Sequence, residues 1–568
     1  KNNSFALLFI DFKKAFDSLE HSFLLHQMQN MGFPRVFVRA VQNILSEAES
    51  AIDIPGEPII KLERGARQGD PISPLLFSIA VRPLQKRMDK FLQGYKIGGE
   101  RITNVFFADD CTVVLGKGDI KREHELLKKL LEEYRKQSGL VINEEKTQII
   151  TNIKRAENVF DAHYLASEAM VLGNIVSLSG WSSKNLKRID EKISVTISDL
   201  KRHKMDILDK ITCWNMTILP KVNHILRCTP FNSAFAQAWK KKGVEFVGTP
   251  KYIGHNRLFV PRSRGGLGMM DIELHWNILV FSWYKRAKLV DFPWKIFYIK
   301  ACEGKPQNHP KTSPWRELAP PEELLRIYWR GMGAAGPIDG NPEVRMPLSN
   351  KIREQLQLER INDVLTLRDT SHPGVIFLRN ALRRAFKPQK SIPPLKEVFN
   401  VRNLVLKEDM RRTHPPFDLT HKMKTPESIY KNKQQYIMTS IFDPLLTSKQ
   451  AYLKYRISFG LYYVGEGEIC EICSEKKKKT LSHIFRDCSR LNRIWDLMDE
   501  VFEEVLKRKS SAEEKLYGMF PESNIHRIAS KCISKLQTMI AITRFKKIDP
   551  HQSMAIAALN EFKFLDII

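Results

Sequence analysis

Two short segments of this sequence place carboxylates beside strongly apolar residues. Asp11 ends the apolar run that starts at Phe5, and Asp109 and Asp110 follow a second apolar run. A carboxylate buried without a partner is costly, and adjacent aspartates raise each other's pKa unless a cation neutralises them. We therefore interpret the segments as one divalent metal site, whose hard oxygen ligands favour magnesium or manganese. A lone Asp-Asp pair is otherwise typical of a solvated turn.

The local pattern predicts the elements that carry these carboxylates. Residues 4–12 form an apolar run without a helical gap, which predicts a buried strand that ends in the first carboxylate. Either Asp17 or Ser18 is placed to cap the helix that follows. Residues 105–108 and 112–115 are short apolar runs, so we expect a hairpin with the paired aspartates at its turn.

Two longer helices are predicted in the same part of the chain. Ser73 and Pro74 suit the N-cap and the first position of one helix. Apolar residues at a spacing near 3.6 predict another from Ile120, which Gly139 closes. Beyond about residue 180 the sequence consists of long amphipathic segments, which are typical of helices.

Composition limits the classes of function. The 568 residues include 91 Lys and Arg against 64 Asp and Glu, a net charge of +27, which indicates a polyanionic partner. A hydrophobic content of 43% excludes wholesale disorder. The apolar runs are shorter than the roughly 18 residues of a membrane span, so we expect no membrane association.

A cluster of soft metal ligands lies near the C-terminal end of the sequence. Cys470 and Cys473 are followed by His483 and Cys488 at spacings typical of tetrahedral zinc sites. Four protein ligands leave no position for water, so we expect one structural Zn²⁺ that folds the surrounding loop. The alternative is a set of free buried cysteines beside a surface histidine.

Basic residues recur with tryptophans between these two clusters. Residues 201–204 and 240–242 are basic, and Trp214, Trp239 and Trp283 lie nearby in the sequence. This pattern indicates a groove that follows a phosphate backbone and stacks on bases, with binding that weakens as salt rises. Taken singly, each basic segment is more often an exposed helix face.

The motifs together resemble the reverse transcriptase of a non-LTR (LINE-type) retrotransposon. They occur in the family's order: Phe9–Asp17 resembles the first palm motif, Arg64–Phe77 the second, Phe107–Asp110 the catalytic tetrapeptide and Gly139–Thr147 the fourth motif. Leu172-Gly173 is weakly similar to the primer-gripping motif that follows.

Further resemblances lie in the second half of the chain. Residues 261–268 resemble the Gly-Gly-Leu-Gly turn of LINE proteins, and the cysteine–histidine spacing resembles their zinc knuckle. These two features disfavour another palm polymerase, such as a group II intron maturase.

The resemblance implies roles for individual residues. Asp11, Asp109 and Asp110 would hold two Mg²⁺ or Mn²⁺ ions, with Asp110 the less essential, and Lys146 would protonate the departing pyrophosphate. Phe16 would exclude ribonucleotides by a clash with their 2′-hydroxyl, and the Gln-Gly step would lie against the nascent base pair. The nucleotide- and template-binding residues implied are Phe12, Phe16, Arg67, Gln68 and Gly69.

The implied fold is α+β, with a right-hand polymerase palm built on an antiparallel sheet. The expected domains are the palm at 1–175, a helical thumb at 176–290, a helical connecting region at 291–455, a CCHC zinc knuckle at 456–500 and a helical tail at 501–568. The family's fingers lie upstream of the first palm motif and are absent from this sequence. The chain begins with Lys, so we expect its natural N-terminus upstream, and whether the chain polymerises alone stays open.

The function implied is RNA-dependent DNA polymerisation, in which a DNA 3′-hydroxyl is extended on an RNA template with deoxynucleoside triphosphates. The expected partners are the RNA template, the DNA primer or target and the element's own RNA, in a ribonucleoprotein of the nucleus and cytoplasm. The alternative is a non-catalytic remnant of such an element that binds nucleic acid without polymerising.

Overall fold

The chain is described from a computed structural model. It covers residues 4–50, 60–97, 100–116, 118–178, 180–250, 253–289, 298, 358–361, 364–367, 423, 434–465, 468–473, 475–519 and 523–563. Most of the predicted connecting region at 291–455 lies outside these residues.

The first 181 residues contain strands and helices in alternation. The strands are β1 (Phe5–Ile10), β2 (Glu49–Ser50), β3 (Ile60–Lys61), β4 (Tyr95–Ile97), β5 (Glu100–Ile102), β6 (Asn104–Phe107), β7 (Asp110–Gly116), β8 (Gln148–Thr151), β9 (Glu168–Val171), β10 (Asn174–Ser177) and β11 (Gly180–Trp181). The helices are α1 (Ala15–Ser18), α2 (His21–Asn30), α3 (Arg35–Ser46), α4 (Ser73–Phe91) and α5 (Ile120–Ser138).

A four-stranded antiparallel sheet forms the centre of this part, in the order β6-β7-β1-β8. Ala6, Leu8 and Ile10 of β1 are buried, because alternate residues of a strand face the same side. They share a core with α2, α4 and α5, and the Tyr134 hydroxyl of α5 donates to the Ala80 carbonyl of α4 at 2.9 Å. The predicted antiparallel sheet with helices is confirmed.

Two predicted helix starts differ from the structure. Asp17 and Ser18 do not cap α2, because they lie in the short helix α1 and α2 begins at His21. The backbone around them is tied to other segments: the Phe16 carbonyl accepts from the Ala66 N–H at 2.6 Å. Ser73 is the first residue of α4 rather than its cap.

Asp70 explains why Ser73 is the first residue of α4 and not its cap. Its carboxylate accepts from the Ile72 N–H at 3.0 Å, and its carbonyl accepts from the Ser73 N–H at 3.2 Å. These bonds satisfy donors at the start of the helix, as a capping residue does. In contrast, α5 ends as predicted, with Gly139 in the left-handed conformation at φ 76°.

The segment from 184 to 289 is helical, as its amphipathic pattern predicts. Its helices are α6 (Lys184–Leu200), α7 (Ile207–Cys213), α8 (Leu219–Cys228), α9 (Ser233–Val247), α10 (His255–Phe259) and α11 (Ile272–Leu289). A π-helical turn, Trp214–Ile218, joins α7 to α8.

Two of the tryptophans predicted to stack on bases belong to the core of this segment. Trp214 and Trp239 are fully buried, and their indole N–H groups donate to the Met270 carbonyl at 3.0 Å and to Asp190 at 2.9 Å. A buried ring has no face for a base, so the prediction is wrong for these two residues.

The C-terminal part adds a further set of elements. They are β12 (Leu358–Ile361), β13 (Val364–Leu367), α12 (Gln434–Ile441), α13 (Ser448–Ser458), α14 (Asn492–Leu506), α15 (Glu514–Tyr517), α16 (Asn524–Phe545) and α17 (Ser553–Lys563). Strands β12 and β13 pair as an antiparallel hairpin inside the region predicted to be helical. Among the described residues no helix is long and apolar enough to span a membrane.

One hydrophobic core joins α6–α11 to α12–α17. The turn at 261–268 lies at the contact: the Tyr455 hydroxyl of α13 donates to the Gly265 carbonyl at 3.0 Å. The Arg262 guanidinium lies 5.0 Å from the Phe442 ring centre, and Arg257 lies 5.2 Å from that of Phe459. The Gly-Gly-Leu-Gly segment therefore packs against the C-terminal part.

We predict that Gly266→Ala destabilises the protein. A Cβ at Gly266 would lie 2.0 Å from the Val260 carbonyl oxygen, so the backbone of the turn must move. Overpacking of this kind costs about 1–3 kcal/mol. Denaturant unfolding followed by tryptophan fluorescence measures the effect. Gly254→Ala is the control, since nothing lies within 4 Å of its added Cβ, and equal stability of the two variants contradicts the prediction.

Candidate functional site

The predicted hairpin is present at the edge of the sheet. Phe107 of β6 pairs with Asp110 of β7, so Ala108 and Asp109 form a two-residue turn. Ala108 has φ 52°, a left-handed conformation that is uncommon for a residue with a side chain and that recurs at functional sites. This turn places Asp109 at the tip of the hairpin and Asp110 at the start of β7.

The central strand brings the third carboxylate to the same place. Ile10 pairs with Cys111 in the β1–β7 ladder, so Asp11 follows on one strand where Asp110 precedes on the other. Burial raises the pKa of Asp110, and the charges of Asp109 and Asp11 raise it further. Asp110 therefore lies close enough to both Asp11 and Asp109 to be affected by their charges.

The loop after α5 completes the surroundings of Asp11. The Asn143 N–H donates to the Asp11 carbonyl at 2.7 Å, and the Asn143 side-chain amide donates to the Asp11 carboxylate at 3.0 Å. The Lys146 ammonium lies 3.7 Å from the same carboxylate oxygen and is 71% exposed. Asn143 was not predicted, since it is 132 residues from Asp11 and only the strand pairing reveals the contact.

The predicted nucleotide contacts fall into two groups. The Phe12 side chain is buried in the core, and its backbone bridges to Ile142. The half-buried Phe16 ring stacks on Phe77 of α4 at 4.8 Å. This contact holds the Phe16 ring against α4. The Phe12 ring is buried, so it cannot contact a nucleotide.

The second palm motif lies beside Phe16. Arg67, Gln68 and Gly69 are exposed, and Gly69 has φ 90°, a conformation that favours glycine. Residues 61–67 and Asp17 line a surface cavity of about 350 Å³. Part of the motif therefore lines this cavity, and Gln68 and Gly69 are exposed beside it.

The four predicted soft ligands form a tight cluster. The ligand atoms of Cys470, Cys473, His483 and Cys488 all lie within 4.8 Å of one another, and all four residues are buried. The Cys473 sulfur is 3.5 Å from the His483 Nε2. Phe485 is fully buried between the last two ligands. This donor set and spacing fit a tetrahedral zinc ion.

Hydrogen bonds favour the thiolate form of Cys470. Burial alone would raise its pKa, but the backbone N–H groups of Cys473 and Ile472, with His483 and Arg544, lower it to about 6. Because metal ligands must be deprotonated, this environment prepares the sulfur for a cation.

The predicted basic groove is only partly available. Lys240 lies 2.6 Å from Asp271, and Lys242 lies 2.5 Å from Asp190, so internal ion pairs occupy both ammonium groups. Residues 201–204 at the end of α6 are exposed. These ion pairs argue against phosphate contacts by Lys240 and Lys242, whereas Lys241 and residues 201–204 are exposed.

Comparison with known proteins gives a family match over the part of the chain that contains the carboxylate site. Residues 1–248 match the family model of reverse transcriptase (RNA-dependent DNA polymerase). A Pol polyprotein of the type-1 retrotransposable element R2 of Nasonia vitripennis is 31% identical over 107 residues, which are 18% of this chain and 10% of that protein. The corresponding R2DM polyprotein of Drosophila melanogaster is 33% identical over 107 residues, with the same shares.

A longer but weaker match comes from the transposon TX1 149 kDa protein of Xenopus laevis. It is 22% identical over 409 residues, 64% of this chain and 31% of that protein. A telomerase structure from Candida tropicalis has 14% identity and a TM-score of 0.26, and covers 44% of this chain and 40% of that one. The chain thus spans between a tenth and a third of the length of these curated relatives.

The family match covers the whole carboxylate site, including the strand of Asp11, the hairpin of Asp109 and Asp110, and the loop of Lys146. The relatives are Pol proteins of retrotransposable elements. Residues 1–248 of this chain are therefore similar to reverse transcriptases, and the chain is similar to the Pol proteins of retrotransposable elements.

Proposed function

We propose that this protein is an RNA-directed DNA polymerase that extends a DNA 3′-hydroxyl on an RNA template with deoxynucleoside triphosphates. The observation that carries the proposal is that Asp11, Asp109 and Asp110 lie at adjacent strand ends, where burial and then the charges of Asp109 and Asp11 raise the pKa of Asp110. Closely spaced carboxylates repel one another, and a divalent cation relieves that repulsion.

The donor set suits two Mg²⁺ ions, with Mn²⁺ as the alternative. When bound, they supply a template for in-line displacement at a phosphate and stabilise the charge on the attacking and leaving oxygens. Asn143 orients the Asp11 carboxylate by donating to one of its oxygens. Lys146 lies beside the same oxygen and is exposed, so its ammonium can give a proton to the departing pyrophosphate.

The nucleotide and template lie, in this proposal, against Phe16 and the exposed second motif. Phe16 meets the sugar, since its ring is fixed on Phe77 and cannot move aside for a 2′-hydroxyl. Gln68 and Gly69 lie along the nascent base pair, and Arg67 contacts the template phosphates. Phe12 supports Asp11 through the core and makes no ring contact.

We further propose that Cys470, Cys473, His483 and Cys488 hold one structural Zn²⁺. The tight set of buried soft donors supports this. The partners proposed are the element's own RNA and a DNA target in a ribonucleoprotein of the nucleus and cytoplasm. The excess of basic residues and the exposed residues 201–204 support a nucleic-acid partner.

Asp109→Asn should abolish primer extension by the protein translated from its whole reading frame. Loss of one metal ligand removes several kcal/mol of transition-state stabilisation, which lowers the rate by at least about a hundredfold. The measurement is incorporation of deoxynucleotides on an RNA template with a DNA primer.

Asp161→Asn is the matched control, because Asp161 is an exposed aspartate that pairs with Lys128 at 3.5 Å on the surface. Extension by Asp109→Asn at the wild-type rate contradicts the proposal. A wild-type protein that binds RNA but extends no primer identifies the chain as a non-catalytic remnant.

Phe16→Ala should admit ribonucleotides. Removing the ring makes room for a 2′-hydroxyl, so discrimination between deoxynucleotides and ribonucleotides should fall by about tenfold or more. The ratio of kcat/KM for the two sugars measures it. Phe16→Tyr keeps the ring and should keep the discrimination. Unchanged selectivity in the alanine variant rules out Phe16 as the residue that reads the sugar.

Asp110→Asn should raise the Tm of the metal-free protein near neutral pH. The pKa of Asp110 is raised in the folded state, so the folded protein binds the proton more tightly and its stability falls as pH rises through that pKa. Asparagine removes this cost, and the gain should shrink at acidic pH, where the carboxyl is protonated.

Thermal unfolding with a chelator, and again with added Mg²⁺, measures the effect. Magnesium should stabilise the wild type more than Asp110→Asn, since the cation relieves the same repulsion. The surface variant Asp161→Asn should show no gain. A Tm of Asp110→Asn equal to or below that of the metal-free wild type contradicts the prediction that ionised Asp110 destabilises the folded protein.

A further inference from the structure

The cysteine–histidine cluster has a cationic neighbour from a distant part of the chain. Arg544 lies near the end of α16, and its Nη1 donates to the Cys470 sulfur at 3.1 Å. Its Nε and Nη2 atoms are buried and have no hydrogen-bond partner among the described residues. A buried guanidinium with spare donors is costly unless negative charge lies close to it.

The guanidinium reaches ligands from two segments. Arg544 also interacts with Cys488, which lies just before α14, whereas Cys470 lies in the loop ahead of it. Its fork of five donors suits two acceptors at once, which the point charge of a lysine does not. Arg544 therefore donates to the first ligand, Cys470, and lies close enough to the last, Cys488, for their charges to interact.

The contact of Arg544 with Cys470 would balance the charge of a zinc-bound cluster. Three thiolates and a neutral imidazole around Zn²⁺ carry a net charge of −1, and burial of that charge is unfavourable without a counter-ion. One arginine balances it. Outer-shell groups that bond to metal ligands hold their orientation and tune their affinity.

Three lysines near the cluster are paired with carboxylates instead. Lys479 lies 2.7 Å from Glu468, Lys477 lies 2.6 Å from Glu475, and Lys547 of the segment after α16 lies 3.0 Å from Glu471. Within the described part of the chain, Arg544 is the basic side chain with a direct hydrogen bond to a ligand sulfur.

We infer that Arg544 is a positioning residue of the zinc site, which holds the Cys470 and Cys488 thiolates and neutralises the bound cluster. The inference rests on the proposed zinc site. It also ties the end of α16 to the metal. Helix α16 contacts α13, whose Tyr455 donates to Gly265 in the turn at 261–268.

The test compares zinc retention in the full chain and its variants. Arg544→Met removes the charge and both contacts, and we expect a 10–100-fold loss of zinc affinity in competition with a chromogenic chelator. Arg544→Lys keeps the charge but not the fork, so its loss should be smaller. Arg527→Met is the control, since Arg527 lies on the same helix but pairs with Asp443 at 2.9 Å.

The absorption spectrum of the cobalt-substituted protein reports on the ligand sulfurs and does not depend on the stability of α16. Hydrogen bonds and positive charge lower the energy of the sulfur electrons, so their loss should shift the thiolate-to-cobalt charge-transfer band to lower energy. We expect this shift in Arg544→Met and not in Arg527→Met. If Arg544→Met does not fold, the affinity and spectrum of Arg544→Lys against the wild type decide the question.

The results distinguish failure of the zinc site from failure of the role of Arg544. A wild-type chain that holds neither zinc nor cobalt overturns the zinc site itself. A wild type that holds the metal, with unchanged affinity and spectrum in the Arg544 variants, overturns the role of Arg544 and leaves the zinc site standing.

Discussion

The backbone pairing of β1 determines where the chemistry of this protein can occur. This strand lies between β7 and β8 and has a partner on both sides, so its register is fixed by two ladders. A shift by one residue would turn Ala6, Leu8 and Ile10 out of the core and move Asp11 away from Asp110. The hydrophobic alternation of one strand thus places the carboxylate of the site.

The same pairing explains what could be predicted from the sequence. The strand that ends at Asp11 and the hairpin of Asp109 and Asp110 follow from local patterns, because apolar alternation and turn chemistry act over a few residues. The contact of Asn143 with Asp11 does not, because it forms only when the chain returns 132 residues later. The start of α2 was mispredicted because distant backbone bonds hold residues 16–20.

Long-range packing also decided which aromatic and basic residues are free. Trp214 and Trp239 lie near basic residues in the sequence, which suggested a surface that stacks on bases. Both rings instead pack in the core of α6–α11. Lys240 and Lys242 belong to a basic run in the sequence, and their ammonium groups pair with Asp271, just before α11, and with Asp190 of α6. The cysteine–histidine set was predictable, since zinc spacing is short-range, but Arg544 is 74 residues from Cys470.

The two clusters of negative charge are held in opposite ways, and the difference matches their proposed tasks. The thiolates are buried and have a fixed cation in Arg544, which suits a site that keeps its metal. Asp11 lies 3.7 Å from the exposed Lys146, and burial together with the charges of Asp109 and Asp11 raises the pKa of Asp110. A site that must take in and release charged substrates needs unbalanced charge, because a permanent internal ion pair would compete with each incoming cation.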